Sequence, residues 1–134
     1  MNKDVRVFSY QPFKDSVSPE LYQQLKDKFI KYKKTGITPE DFGRDVPFDF
    51  PAKLRDSGLI HIHIKDKSSK KWKLKKFSYN KTSNTALIYA VNYFNPNVFL
   101  LIGLLDNAHQ VYEENLLYLL ELSDIADRFV NKNF

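Results

Sequence analysis

The sequence predicts an α+β fold in a single domain spanning residues 1–134: an N-terminal strand, two helices, a three- to four-stranded antiparallel sheet and a C-terminal helix. Three observations predict it. Apolar residues recur every three or four positions in the first third of the chain, at Leu21, Leu25, Phe29 and Tyr32, the period of a helix with one buried face. The period then drops to two in Leu59-Ile60-His61-Ile62-His63-Ile64, which is strand alternation. Two β-rich runs, 85–93 and 98–105, flank Asn95-Pro96-Asn97, the turn chemistry of a hairpin.

The elements follow in chain order. Val5-Arg6-Val7-Phe8-Ser9-Tyr10 is rich in β-branched and aromatic residues and stops at Gln11-Pro12, so it reads as a first strand. Ser18-Pro19 starts a helix of about four turns, the serine oxygen capping free amides and the proline occupying the first turn. Gly36 stands where a left-handed C-terminal cap belongs. Residues 38–43 repeat that logic on a small scale and predict a short second helix. Residues 44–58, with Pro47, Pro51 and Gly58 and no sustained period, predict an irregular surface connection. Residues 72–75 alternate Trp, Lys, Leu and Lys, a pattern that fits a short basic edge strand. The final helix, capped at Asp106 or Asn107, should run past Leu120 with a break at Ser123. Its leucines cover more than one face, which full burial and a second partner surface both explain.

Length and composition limit the function classes. The 134 residues are 43% hydrophobic and 15% aromatic, enough to close one core. No run approaches the roughly 20 apolar residues of a membrane span, and the opening residues lack a secretory signal, so the expected location is cytoplasmic, with no membrane partner. There is no cysteine, which removes disulfides and thiolate metal sites and leaves catalysis to oxygen and nitrogen groups.

The net charge of +5 is distributed unevenly. Residues 61–81 carry eight lysines against Asp66 alone, whereas residues 106–134 carry six acidic groups against Arg128 and Lys132. Lys65, Lys71, Lys73, Lys75, Lys76 and Lys81, together with Trp72 and Tyr79, have the ingredients of an RNA surface: cations for phosphate and rings for unpaired bases. A plain solvated face is the competing reading of such a run.

The predicted order of elements resembles that of RelE-type bacterial ribonuclease toxins. A more specific resemblance is carried by Phe29-Ile30-Lys31-Tyr32-Lys33-Lys34 with Gly36 and Pro39, and by Phe42-Gly43-Arg44-Asp45. His61-Ile62-His63, Phe77-Ser78, Ile88-Tyr89 and Leu100-Leu101-Ile102 ahead of His109 continue it. In family order over roughly residues 21–130, these segments resemble the YafO family of toxins. The resemblance implies an mRNA endonuclease that acts with the ribosome and is silenced by a cognate YafN-type antitoxin. The leucine-rich, acidic tail departs from the family pattern.

Metal-independent RNA cleavage by 2′-hydroxyl attack needs a base, an acid and a cation for the phosphorane. His61, His63 and His109 are the only histidines, and alternation turns the first two away from the isoleucine side. They are the candidate acid and base, against the alternative of solvated surface histidines. A His-x-His pair also suits zinc with a third ligand from His109 or Asp106, but nothing else has ligand spacing, so no cofactor is expected. Arg44 is the candidate phosphate cation, since guanidinium binds phosphate bidentately; a salt bridge to Asp41 or Asp45 is the alternative. Alternation places Tyr89 with Leu87 and Val91, in the core. A non-catalytic inhibitor that occupies the ribosome, and a structural subunit bound through the tail, are the rival functions.

Overall fold

The structure, a computed structural model, describes residues 4–69, 72, 77 and 80–133, apart from the side chains of residues 109 and 113. Its elements are β1 (Arg6–Ser9), α1 (Gln11–Ser16), α2 (Pro19–Thr35), β2 (Phe42–Pro47), α3 (Ala52–Ser57), β3 (Ile60–Ile64), β4 (Thr85–Val91), β5 (Val98–Leu105), α4 (Ala108–Glu114) and α5 (Leu116–Val130). The α+β class is as predicted. The sheet has five strands in the order β1-β5-β4-β3-β2. β2 to β5 pair antiparallel, while β1 adds to β5 in parallel.

Helices cover both faces of this sheet. On one face Phe13 of α1 and Tyr22, Leu25 and Phe29 of α2 pack on Ile62, Leu87, Tyr89, Phe99 and Leu101. On the other, Leu54 of α3, Val111 of α4 and Leu119, Leu122, Ala126 and Phe129 of α5 pack on Ile88, Val98 and Ile102. Strands buried on both sides need apolar residues at successive positions rather than alternation, which is why β4 and β5 read as continuous apolar runs.

Several caps act as the sequence indicates. Ser18 Oγ accepts the Leu21 amide at 3.1 Å, and Gly36 takes φ 74°, donating its amide to the Tyr32 carbonyl. Leu21, expected in the core, is exposed, and Tyr22 takes its place. The hairpin between β4 and β5 is organised by buried Asn92: its Oδ1 accepts the amides of Phe94 and Asn95, and its Nδ2 donates to the carbonyls of Phe129 and Lys132.

Other expectations fail for identifiable reasons. The short helix expected at 38–43 is a turn leading into β2, because Phe42 is fully buried and pairs with Ile64 on β3. The connection expected at 44–58 is irregular only in part: it contains most of β2 and all of α3, whose Leu54 is buried. The break in the C-terminal helix falls at Asn115, whose side chain accepts the Tyr118 amide and starts α5. Ser123 lies inside α5, its hydroxyl turned back on the Leu120 carbonyl. α1 went unpredicted. The basic edge strand expected at 72–75 lies outside the described residues except for Trp72.

Candidate active site

The site begins with an irregularity in β2. Phe42 pairs with Ile64 and Asp45 with Ile62, so β2 spends three residue steps where β3 spends two. That is a β-bulge, and one extra residue reverses which face the following side chains take. Phe42 and Asp45 thus both face α2, while Arg44 and Val46 line the opposite side with His61, the pairing partner of Val46.

The bulge is held from two directions. Gly43 sits so close to the segment around Lys81 that a Cβ there would land on the Lys81 carbonyl oxygen and against the Trp72 ring. The Arg44 amide donates to that same carbonyl at 2.9 Å. From the α2 side, the Asp45 carboxylate accepts the hydroxyls of Tyr32 at 2.7 Å and Tyr89 at 2.8 Å, and Lys33 pairs with it at 3.4 Å. Lys33 also donates to the Tyr89 hydroxyl at 2.9 Å. Both salt-bridge partners proposed for Arg44 are therefore engaged elsewhere, Asp45 with Lys33 and Asp41 with Lys28. Tyr89 is a buried core residue as expected.

The opposite face opens into a cleft of about 690 Å³. Arg44, His61 and Asp49 supply its polar lining, and Phe48, Phe50, Leu116, Leu119 and the ring of Tyr112, whose hydroxyl is buried, are among its apolar walls. The rings of Phe48 and His61 stand 4.4 Å apart, and Tyr112 of α4 lies 5.4 Å from Phe48 and 6.0 Å from His61. His61 Nδ1 is buried without a hydrogen-bond partner among the described residues. Burial, followed by the neighbouring His63, lowers the His61 pKa to about 4. Burial alone raises that of Tyr112. At neutral pH the imidazole is therefore unprotonated and the phenol protonated.

The expected exposure of the histidines needs correction. They do face away from the isoleucines, but that face is roofed by the helices that follow β5. His63 is only 4% exposed. Its Nδ1 receives the Ser83 amide at 2.9 Å and lies 3.0 Å from the Ser83 carbonyl oxygen. His63 thus stands behind His61, ring centroids 5.5 Å apart, rather than beside it in the cleft. His109 lies on α4, the helix that carries Tyr112, and its side chain is outside the described residues.

The candidate RNA surface is also altered. Trp72 is 5% exposed and donates its indole N–H to the Thr82 carbonyl, so it cannot stack on a base. Lys65 is exposed and Lys81 half-buried. Lys71, Lys73, Lys75, Lys76 and Tyr79 lie outside the described residues. Tyr112, Phe48, Asp49 and Phe50 were not foreseen as site residues. The signal for them was slight: a Phe-Asp-Phe run between Pro47 and Pro51, and a tyrosine three residues after His109.

The family model described as "Toxin YafO, type II toxin-antitoxin system" matches residues 30–131, a span that takes in every residue lining this cleft. The chain belongs to the YafO toxin family. Membership of a type II toxin–antitoxin system implies an antitoxin partner. This YafO-family chain is 29% identical over 118 residues to the mRNA interferase toxin YafO of Escherichia coli (strain K12), covering 83% of the chain and 87% of that relative. No solved structure matches it. Among its described residues no helix is long and apolar enough to cross a membrane.

Proposed function

We propose that the chain is an endoribonuclease that cuts mRNA on the ribosome, the toxic partner of a YafN-type antitoxin, and that the cleft of Arg44 and His61 is where it cuts. The supporting observation is the convergence of a guanidinium and an unprotonated imidazole on one open cleft, in a family whose E. coli relative is named an mRNA interferase. Neutral His61 takes the proton of a ribose 2′-hydroxyl, whose oxygen attacks the adjoining phosphorus. As that bond forms, the bond to the 5′-oxygen breaks, leaving a 2′,3′-cyclic phosphate and a 5′-hydroxyl. Arg44 offsets the charge of the phosphorane. His109, on the same helix as Tyr112, supplies the proton for the 5′-oxygen. His63 is a positioning residue behind His61. The lysines of residues 61–81 hold ribosomal RNA through its phosphates.

Brief induced expression followed by mapping of transcript 5′ ends tests this reading. Wild-type chain should create new 5′-hydroxyl ends within coding regions. His61→Ala and Arg44→Ala should each reduce them by about 10²-fold or more. Stalled growth with intact messages would replace the nuclease with a non-catalytic inhibitor that occupies the ribosome.

A further inference from the structure

The cleft is larger than cleavage chemistry needs. Arg44 and His61 account for one wall, whereas the segment between β2 and α3 contributes Phe48, Asp49 and Phe50 to another. Phe48 is buried and packs on His61 and Tyr112, which explains it as core. Phe50 is 81% exposed, so packing within the chain gives no account of it. An exposed ring at the mouth of a cleft of about 690 Å³, within the usual range of small-ligand sites, offers a face for stacking. Asp49 is exposed beside it and close enough to His61 to favour its protonated form.

The charges order whatever occupies this space. A phosphate is attracted by Arg44 and repelled by Asp49, so a nucleotide enters with its phosphate toward β2 and its base toward residues 48–50. A carboxylate only accepts hydrogen bonds, through two oxygens side by side. Among the four RNA bases, guanine alone presents two adjacent donors on its pairing edge, N1–H and the N2 amino group. Adenine and cytosine each offer an amino group next to an acceptor, and uracil a single N–H between two acceptors.

We propose that Asp49 and Phe50 form a nucleobase subsite that selects guanine next to the bond being cut, Phe50 stacking on the ring and Asp49 taking both donors of its pairing edge. This rests on the nuclease reading for its biological meaning, but the subsite can be tested without cleavage. Both side chains are exposed, so their substitution should leave the fold intact.

The test is calorimetric titration of the purified chain with the 3′-monophosphates of guanosine, adenosine, cytidine and uridine at low salt. The guanosine nucleotide should bind about tenfold more tightly than the other three. Asp49→Asn, which replaces one acceptor by a donor, should bring all four to within about threefold of one another. Phe50→Ala should weaken all four by about tenfold and keep their ranking. Equal affinity for the four nucleotides, no binding of any, or a guanosine preference that survives Asp49→Asn would overturn the subsite. A preference found in a chain that leaves messages intact would remove the nuclease and keep the subsite; transcript cleavage without a preference would do the reverse.

Discussion

Replacing Asp45 by alanine should destabilise the chain by about 3–5 kcal/mol, and the size of that loss measures how firmly the bulge beneath Arg44 is held. The Asp45 and Lys33 side chains are 15% and 19% exposed, so little water can take over their interactions. Asp45 accepts two phenolic hydroxyls at 2.7 and 2.8 Å. Hydrogen bonds to an ionised partner contribute about 1.5–3 kcal/mol each. Alanine strips both tyrosines of that acceptor and removes the counter-charge of Lys33, which keeps its bond to the Tyr89 hydroxyl and its contacts with the rings of Phe29, Tyr32, Tyr89 and Phe99. Those residual contacts set the upper bound.

Urea unfolding of wild type, Asp45→Ala, Asp45→Asn, Tyr89→Phe and Asp45→Ala/Tyr89→Phe reads this directly. Asp45→Asn keeps one acceptor and loses the charge, so it should cost about half as much as alanine. Tyr89→Phe alone should cost about 1.5–3 kcal/mol, and the double variant should show a coupling of at least about 0.5 kcal/mol. A loss below about 1 kcal/mol for Asp45→Ala, or strict additivity with Tyr89→Phe, would refute the idea that this network anchors β2.

Three further outcomes follow from the same geometry. His61 has its pKa lowered to about 4 by burial, so the unfolded chain binds the extra proton first; stability should fall by about 3 kcal/mol as pH drops from 6.5 to 4, and pH-dependent melting should lose that slope in His61→Phe. Gly43→Ala would drive a methyl into the Lys81 carbonyl and the Trp72 ring, costing about 1–3 kcal/mol in thermal unfolding and weakening nucleotide binding through the displaced Arg44; unchanged stability would mean that the two segments do not touch. Neutralising Lys73, Lys75 and Lys76 together should lower RNA affinity and reduce the slope of log K against log salt by about 2, whereas an unchanged slope would take those lysines off the phosphates.

The fold was legible where local chemistry and tertiary packing agree. Ser18, Pro19 and Gly36 delimit α2 because capping is settled within a few residues, and the hairpin turn at 95–97 is equally local. The failures share one cause. Thr38-Pro39 followed by Gly43 has the form of a short capped helix, yet Phe42 gains more from full burial against α2 and pairing with β3 than residues 38–43 gain from one helical turn. Parallel pairing of β1 with β5 joins residues more than 90 positions apart, and no local pattern encodes it. Asn115 displaced Ser123 as the helix break for a similar reason: both residue types can cap, and only the packing of Leu119 and Leu122 on the sheet fixes which one does.

The site shows the limit more sharply. Alternation assigns His61 and His63 to one side of β3, and that side is correct, but alternation says nothing of what covers it. Here Phe48 and, from α4, Tyr112 cover His61, and His63 is buried against the Ser83 backbone, turning an expected pair of surface bases into one low-pKa imidazole with a second ring behind it. Arg44 presents the opposite case. Strict alternation from buried Phe42 would send Arg44 to the α2 face, away from the histidines, where the space is filled by Tyr32, Tyr89 and Lys33 around Asp45. The bulge at 43–44 exchanges the two, placing the carboxylate in that cage and the guanidinium in the cleft. A glycine that tolerates the contact with Lys81 is the only sequence trace of this exchange, so Gly43-Arg44-Asp45 acts as one unit: none of the three could be moved along β2 without losing either the anchor or the cation.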